Sequence, residues 1–318
     1  MSTPDTGQLQ PGLTQSLAAI SRPVVTTMMA VVVLETLLFG IFVVLLVTHT
    51  WLRLQYRSKE GSPGWRASPL MLTSLAIFSL CALHWSLTIV AFFFGFLNGT
   101  GSLGLLGLML FYFQKMKMVV AVRGVLTVLT ILVGYIALIY RTWVIWNRDI
   151  RVAVFPIALW LGQLGMGAAI AVLTFRNRDN ILTLFNNSVF TANWVLMLCT
   201  NLYCTLFTAW KIWITCRPIG GSRAKMFMAV LAVLLESYAI LAAWLVLFIV
   251  THQTRSVIEL AAVNLTPQII GIVNTLILIR VGLQRPPPQA TTRELVLTTM
   301  ASMGEVDSRV TVLESKWL

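Results

Sequence analysis

The chain has 318 residues, of which 58% are hydrophobic and 11% are charged. Soluble domains contain roughly 45–50% apolar and about 25% charged residues, so this composition excludes an ordinary soluble protein and indicates an integral membrane protein. The net charge of +12 is divided among short clusters between apolar segments. That pattern is typical of the loops of membrane proteins and does not indicate a nucleic-acid partner. The expected partner is the lipid bilayer.

Seven segments are long and apolar enough to cross a membrane as helices, which takes about 20 residues each. They predict an all-α fold with a seven-transmembrane-helix bundle over residues 24–282, preceded by a short outer tail at 1–23. The proline triplet at 286–288 ends the last helix, and a disordered cytoplasmic tail is expected over 283–318. The segments are Val24–Thr50, Leu70–Leu97, Val119–Tyr140, Ala153–Phe175, Val189–Ile214, Phe227–Val250 and Val257–Val281.

Basic residues near the segment ends predict the orientation, because cytoplasmic loops retain Lys and Arg. They are twice as frequent on the side of the C-terminus, which favours an outer N-terminus and a cytoplasmic C-terminus. The cluster from Lys115 to Arg123 falls on the outer side and does not fit this pattern. The residues expected to meet a cytoplasmic signalling protein or anionic lipid are Arg141, Arg148, Arg151, Arg217, Arg223 and Lys225.

Two glycosylation sequons agree with this orientation. Asn98-Gly-Thr100 and Asn186-Asn-Ser188 both fall in loops that the topology places outside. Asn98 and Asn186 are therefore candidate glycan sites.

Three ionisable residues within the segments are candidates for function, because a charged side chain at the centre of a membrane helix costs at least about 2.5 kcal/mol. Glu35 and His84 lie near the middle of the first two segments, and Glu236 lies toward the middle of the sixth. Glu35 and His84 are expected to meet at one depth and share a proton. Two interpretations remain open: a functional one, as a protonation-sensitive lock or a polar pocket floor, and a structural one, as an interhelical hydrogen bond of about 0.6 kcal/mol. In the second case, Glu35→Gln should fold with little loss.

Polar residues at helical spacing mark one face on each of two further segments, and such faces either line a ligand cavity or pack helices together. The face on the seventh segment consists of Asn264, Gln268, Gly271 and Thr275. The face on the fifth consists of Asn193, Thr200 and Cys204. In the fourth segment, Gly162, Gly165 and Ala169 predict a close-packing face of small residues.

No motif indicates an enzyme or a cofactor. The three histidines are scattered over separate segments without a metal-binding pattern, and the seventh segment has no lysine that could attach retinal. The cysteines lie inside or at the ends of apolar segments, which predicts free thiols. No catalytic or metal site is therefore expected.

Several phrases carry a family resemblance: IYRTWVIWNRDIRVAVFPIALWL, TNLYCTLFTAWKIWIT, ESYAILAAWLVLFIV and LTPQIIGIVNTLILIRVGL. They resemble a large family of seven-helix integral membrane proteins from mushroom-forming, basidiomycete fungi, in which the third helix ends in a Tyr-Arg pattern and the seventh in an Ile-Gly and Arg-Val pattern. The resemblance covers helices three and five to seven, and it implies the architecture and a fungal source without implying an activity. In outline it is similar to G-protein-coupled receptors, although Ile139 replaces the acid before Tyr140-Arg141 and the Asn-Pro-x-x-Tyr run is missing.

Two functions are compatible with these features. The first is a receptor-like sensor of a small or apolar ligand, in the plasma membrane or the endomembrane system, that couples to a cytoplasmic partner. The alternative is a transporter or channel for a small solute or a proton, with Glu35, His84 and Glu236 along the route. Transporters built from inverted repeats have broken helices in both halves, whereas here only Pro267 interrupts a segment deeply.

Overall fold

Seven long α-helices make up most of the chain that the computed structural model describes. The described residues are 11–60, 69–99, 117–176, 188–216, 222–254, 256 and 258–283. Within these ranges there is no strand, and each helix is long and apolar enough to cross a membrane. The helices are α1 Pro11–Glu60, α2 Pro69–Gly99, α3 Lys117–Ile145, α4 Ile150–Arg176, α5 Ser188–Cys216, α6 Ser222–Gln253 and α7 Ile258–Leu283.

The helix bounds confirm the seven predicted segments and extend most of them. The largest difference is at the start, where α1 begins at Pro11, inside the stretch expected to be a tail. The cytoplasmic tail beyond residue 283 lies outside the described residues.

The outer surface of the bundle is apolar. Large aliphatic side chains such as Val33, Val44 and Leu206 are each more than 60% exposed. In water such a surface would be unfavourable, whereas the hydrocarbon core of a bilayer solvates it. Length, composition and surface together define a multi-pass membrane protein.

Neighbouring helices run antiparallel, and the contact pairs show the direction. Trp85 donates from Nε1 to Oγ1 of Thr36 at 3.1 Å, while Phe42, further along α1, packs against Phe78, earlier in α2. The odd-numbered helices therefore begin at one end of the bundle, which we call the top, and end at the other, which we call the base. The top is the end predicted to be outside.

Helix α3 occupies the centre of the bundle. It contacts α2, α4, α5 and α7, and α7 in turn packs against α1, α2, α3 and α6. Gly134 permits a close approach of α3 to α7, since a Cβ at this position would come within 2.6 Å of Cγ2 of Ile270. The two helices that line the functional site described below are thus held together at their middles.

The packed face of α4 differs from the predicted one. Gly162 and Gly165 are exposed, and a Cβ on Gly165 would meet nothing within 4 Å. The buried face instead carries Gln163 and Gly167, where a Cβ would come within 2.7 Å of Cγ1 of Val128. The predicted close-packing face at Gly162, Gly165 and Ala169 is wrong at its two glycines, because both are exposed and a Cβ at Gly162 would make only an ordinary contact of 3.6 Å with Cδ1 of Leu196; Ala169 is half-buried.

Candidate functional site

The contact expected between Glu35 and His84 forms in the structure. Oε1 of Glu35 lies 2.7 Å from Nδ1 of His84 and accepts a hydrogen bond of 3.2 Å from the hydroxyl of Thr88. All three side chains are buried, with Glu35 completely so. The antiparallel packing of α1 and α2 brings them to one depth, so that a single proton can be shared between the carboxylate and the imidazole.

A third charged residue, Arg123 of α3, completes this cluster. Its Nη2 lies 3.8 Å from Oε2 of Glu35 and donates a hydrogen bond of 2.6 Å to Oδ1 of Asn264 on α7. The sequence interpretation had grouped Arg123 with the outer basic residues. Its position several residues inside an apolar segment was the signal that could have identified it, because a charge within a membrane helix is expected to have a partner in the bundle.

The charges of Glu35 and Arg123 balance, but one carboxylate oxygen of Glu35 lacks a hydrogen-bond donor among the described residues. Glu35 and Arg123 are both more than nine-tenths buried, and a single buried charge without a partner would destabilise the fold. Their opposite charges compensate one another. Their separation of 3.8 Å exceeds hydrogen-bond length. Among the described residues, Oε2 of Glu35 has no hydrogen-bond donor. A buried acceptor without a donor costs roughly 1–3 kcal/mol, so this oxygen is a position where a water or another donor would be stabilising.

A cleft lies beside this cluster at the top of the bundle, between α1, α2, α3 and α7. Its volume is about 40 Å³, where one water needs roughly 10–15 Å³ by the same measure. It therefore has space for a few waters and would have to widen for a larger ligand. We call it the top cleft, and its lining residues are Val25, Met28, Met29, Val31, Val32, Thr88, Ala91, Phe92, Gly95, Arg123, Leu260 and Asn264.

Below the cluster, an apolar layer packs between α1, α2, α3 and α7. Phe42, Ile77 and Cys81 form a buried group against which Val133 and Ile272 pack. The Cys81 thiol donates to the carbonyl oxygen of Pro267 at 3.3 Å, which ties α2 to α7. No polar side chain of this group is available to continue the charged cluster toward the base.

Arg141 occupies a second polar cluster near the base, and its location corrects the sequence interpretation. The residue was expected in a basic loop, but it lies within α3 and is only 8% exposed. Its Nη2 donates to the main-chain oxygen of Asn274 on α7 at 3.2 Å, and the hydroxyl of Tyr238 lies beside it. Nε and Nη1 of Arg141 have no hydrogen-bond partner among the described residues. Arg141 is thus an interior residue that cannot contact a partner at the surface of this conformation.

The turn between α3 and α4 contains Arg148, the next basic residue after Arg141. Asn147 and Arg148 have φ values of 54° and 64°, and the amide of Arg148 donates to the oxygen of Trp143 at 2.9 Å. With the bond from the amide of Asn147 to Val144, this is a Schellman helix end. The guanidinium of Arg148 lies 5.7 Å from the Trp143 ring centroid, in cation–π geometry.

Asp149 then caps α4. Its Oδ1 accepts a hydrogen bond of 3.0 Å from the amide of Arg151, which itself is exposed. Of the other coupling candidates, Arg217 lies outside the described residues, and only the helical backbone of α6 is described at Arg223 and Lys225. Their predicted role remains a prediction.

Glu236 does not join the Glu35 cluster. Its side chain is 65% exposed, and Oε2 accepts a hydrogen bond of 3.0 Å from Nη1 of Arg280 on α7. The pair lies toward the base, where α6 begins and α7 ends. Glu236 is therefore separate from the polar groups around His84, contrary to its proposed place on a common route.

The two polar faces predicted on α5 and α7 are buried. Asn193 approaches the sulfur of Met197 at 3.9 Å, and Thr200 accepts a hydrogen bond of 2.9 Å from Nε2 of Gln163. Gln268 donates to the oxygen of Cys81 at 3.4 Å. Asn264 alone among these polar residues lines the top cleft. Thr200 and Gln268 connect neighbouring helices, whereas the contact of Asn193 with Met197 lies within α5.

A further cluster at the top was not identified from the sequence. His252 of α6 places Nδ1 2.7 Å from Oε1 of Glu259 and Nε2 3.0 Å from the hydroxyl of Thr191. It links α5, α6 and α7 on the side of the bundle away from α1. The separation of these three residues in the chain hides this contact from any sequence pattern.

In the described ranges, no three His, Cys, Asp or Glu side chains come close enough to hold a metal ion. Cys81, Cys199 and Cys204 are free thiols. Asn98 lies in the last turn of α2, and Asn186 lies outside the described residues.

Comparison with protein families, with curated proteins and with solved structures finds no match to this chain. The class of protein is therefore defined by the fold and the surface alone: a multi-pass membrane protein with seven helices able to span the bilayer. The resemblance to the fungal seven-helix family remains a prediction.

Proposed function

We propose that this protein is a receptor-like sensor that binds a small ligand in the top cleft and transmits the binding event to the base through α7. The observation that carries the proposal is that α7 contributes to both polar clusters. Asn264 holds Arg123 at the cleft, and the main-chain oxygen of Asn274 holds Arg141 near the base. A ligand that changes the first contact therefore acts on the same helix that makes the second.

The centre of α7 favours such transmission. Pro267 lies between the two asparagines and lacks the amide hydrogen of a regular helix, so one main-chain hydrogen bond is absent there. A helix weakened at one point can bend at that point. In this proposal the ligand alters the balance between two orientations of the part of α7 above Pro267 relative to the part below it. The turn with Arg148 and Arg151 contacts the cytoplasmic partner.

The alternative of a proton or solute pathway has support in the ionisable pair Glu35 and His84. A conducting route also needs polar groups or water along its length, and below the pair the buried side chains of Phe42, Ile77 and Cys81 are apolar, with Gln268 bound to the oxygen of Cys81 at that level. Glu236 lies away from the route on an exposed surface. For these reasons we favour the sensor. An outer top, a plasma-membrane or endomembrane location and a fungal origin form part of the same proposal.

The sensor can be tested with a reporter at the base. Small molecules retained by the protein after purification from its native membranes would be identified by mass spectrometry. The protein would then carry a fluorophore on Val144→Cys, a position that is 44% exposed at the base end of α3, with Cys199 and Cys216 replaced by Ser. We expect the retained molecule to change the fluorescence, and Asn264→Leu to abolish the change. Binding without any change at the base would contradict a sensor.

Flux measurements distinguish the transporter or channel from the sensor. Proteoliposomes with an internal pH dye should show no sustained proton flux under a pH gradient, because the apolar layer blocks it. A protonophore added at the end of each recording provides the positive control for detection. A sustained flux in the unmodified protein that disappears in Glu35→Gln would replace the sensor with a transporter.

A further inference from the structure

We infer that two cations at the base, Lys211 of α5 and Arg148 of the turn after α3, together bind the phosphate of an anionic membrane lipid. The inference goes beyond the proposed function. It adds a lipid to the turn at which that function places the cytoplasmic partner, and it holds whether or not the protein is a sensor.

Both cations lie at the depth of lipid headgroups. Arg148 follows Ile145, the last residue of the apolar span of α3. Lys211 lies one turn before Thr215, where the apolar span of α5 ends. Both helices run from the top to the base, so the two cations lie at the same end of the bundle. Trp210, next to Lys211 in the chain, is 59% exposed, and indoles at the ends of spanning helices are typical of the membrane–water interface.

Neighbouring indole rings of α3 hold the two cations. Nζ of Lys211 lies 5.1 Å from the ring centroid of Trp146. The guanidinium of Arg148 lies 5.7 Å from the ring centroid of Trp143, which precedes Trp146 on the same face of the helix. Trp146 is in turn fixed to α5, because its Nε1 donates to the main-chain oxygen of Phe207 at 3.2 Å. The indoles therefore position a cation from α5 and a cation from the turn side by side.

The charges of these two side chains are not compensated within the described part of the chain. No carboxylate there lies within ion-pair distance of Lys211 or Arg148. The acid next to Arg148, Asp149, uses Oδ1 to accept a hydrogen bond from the amide of Arg151. A cation–π contact leaves N–H donors of lysine and arginine for charge-assisted hydrogen bonds to a phosphate. A lipid phosphate is the anion that a bilayer presents at this depth.

The surface beside the cations fits an acyl chain. Tyr203, Phe207 and Lys211 are spaced by four along α5 and share one face, with the cation at the base end and the rings deeper in the membrane. Tyr203 packs against Phe155 of α4, with ring centroids 4.8 Å apart. Phe155 and Leu206 are 52% and 63% exposed. A lipid chain can lie against this apolar surface while the phosphate contacts the cations.

The inference can be tested by native mass spectrometry of the full chain. The purified protein would be mixed in detergent with equal amounts of phosphatidylglycerol and phosphatidylcholine that have the same acyl chains. Both lipids have a phosphate, but the trimethylammonium group of phosphatidylcholine cancels its charge. We expect the protein to retain phosphatidylglycerol at least about tenfold more, since each cation near an anionic lipid contributes about fivefold. Equal retention of the two lipids would overturn the lipid site and leave these cations to a protein partner.

Glycerol phosphate distinguishes a lipid from a free phosphate ester. At millimolar concentration it should leave the retained phosphatidylglycerol unchanged, because it lacks the chain that lies along α4 and α5. Displacement of the lipid by glycerol phosphate would assign the two cations to a soluble phosphate and overturn the lipid.

Variants locate the phosphate. Lys211→Gln and Arg148→Gln should each lower the preference for phosphatidylglycerol about fivefold, whereas Lys211→Arg, which keeps the charge, should preserve it. The matched control is Arg151→Gln, because Arg151 is exposed at the same end of the bundle and belongs to neither indole contact. It should leave the preference unchanged.

The variants also define the results that would contradict the site. An unchanged preference in either Lys211→Gln or Arg148→Gln would overturn a phosphate held by both cations. An equal loss in Arg151→Gln would show a general positive field at the base instead of a site. Loss of the preference in Lys211→Arg would mean that the charge at position 211 is not what binds the lipid.

Discussion

The ring of Phe42 in α1 packs directly on the backbone of Gly271 in α7. A Cβ at position 271 would come within 2.7 Å of one ring carbon and 2.9 Å of another. This contact lies in the apolar layer between the two polar clusters, where α1 and α7 pack side by side. Because a side chain at 271 would separate the two helices, the contact determines how closely they approach.

Gly271→Ala should therefore destabilise the protein. We expect a loss of about 1–3 kcal/mol in the free energy of unfolding from overpacking, measured by thermal unfolding in detergent. The matched control is Gly165→Ala on α4, where a Cβ meets nothing within 4 Å, and where alanine should be neutral or stabilising by up to about 1 kcal/mol. Adding Phe42→Leu to Gly271→Ala should recover part of the loss. Equal effects of Gly271→Ala and Gly165→Ala on the free energy of unfolding would contradict the close contact between Phe42 and Gly271.

Glu35→Gln should destabilise the protein more than its similar volume suggests, because Arg123 then loses its buried counter-charge. Removing one partner of a buried ion pair costs about 3–5 kcal/mol in the free energy of unfolding. This value replaces the sequence-based expectation that Glu35→Gln would lose little stability. Glu35→Gln with Arg123→Gln should be less destabilised than the sum of the single changes, with a coupling of about 0.5–3 kcal/mol by chemical denaturation.

Glu236→Gln provides the control for this cycle. Its carboxylate is exposed and paired with Arg280, so the change should cost at most about 1 kcal/mol. Additive effects of Glu35→Gln and Arg123→Gln would contradict an energetic link between these two residues.

The turn between α3 and α4 should respond to side-chain shape. Asn147 has a φ of 54°, a conformation that costs β-branched residues most and glycine least. Asn147→Val should lower the free energy of unfolding by about 1–2 kcal/mol, and Asn147→Gly should be neutral or stabilising. Thermal unfolding of both variants tests this; equal stabilities would mean that the turn has a different backbone conformation.

The predicted orientation can be tested on intact cells. An N-terminal tag should be accessible to added protease and a C-terminal tag protected, since the basic residues favour a cytoplasmic C-terminus. Asn186→Gln should remove a glycan-dependent mass shift if the loop between α4 and α5 is outside. Protection of the N-terminal tag and exposure of the C-terminal one would reverse the topology.

The partners of each polar residue were only partly predictable. Glu35 and His84 lie on consecutive antiparallel helices, so similar depth could be inferred from their positions in the segments. Arg123 pairs with residues of α1 and α7, distant in sequence, and its proximity to Lys115 and Lys117 led to its being counted with the basic residues of the outer side. Arg141 was expected in a loop because the apolar segment ends at this charge, whereas helix α3 continues beyond it.

The sequence by itself determined that this is a membrane protein with seven spanning helices, because each helix satisfies its own backbone hydrogen bonds and must match the thickness of the bilayer. Only the tertiary structure decided which faces of the helices meet. Rotation of each helix about its axis depends on packing with several neighbours, as Phe42 on Gly271 and Gly167 on Val128 show. That rotation places Arg123 beside Glu35 in the interior and turns Glu236 to the surface.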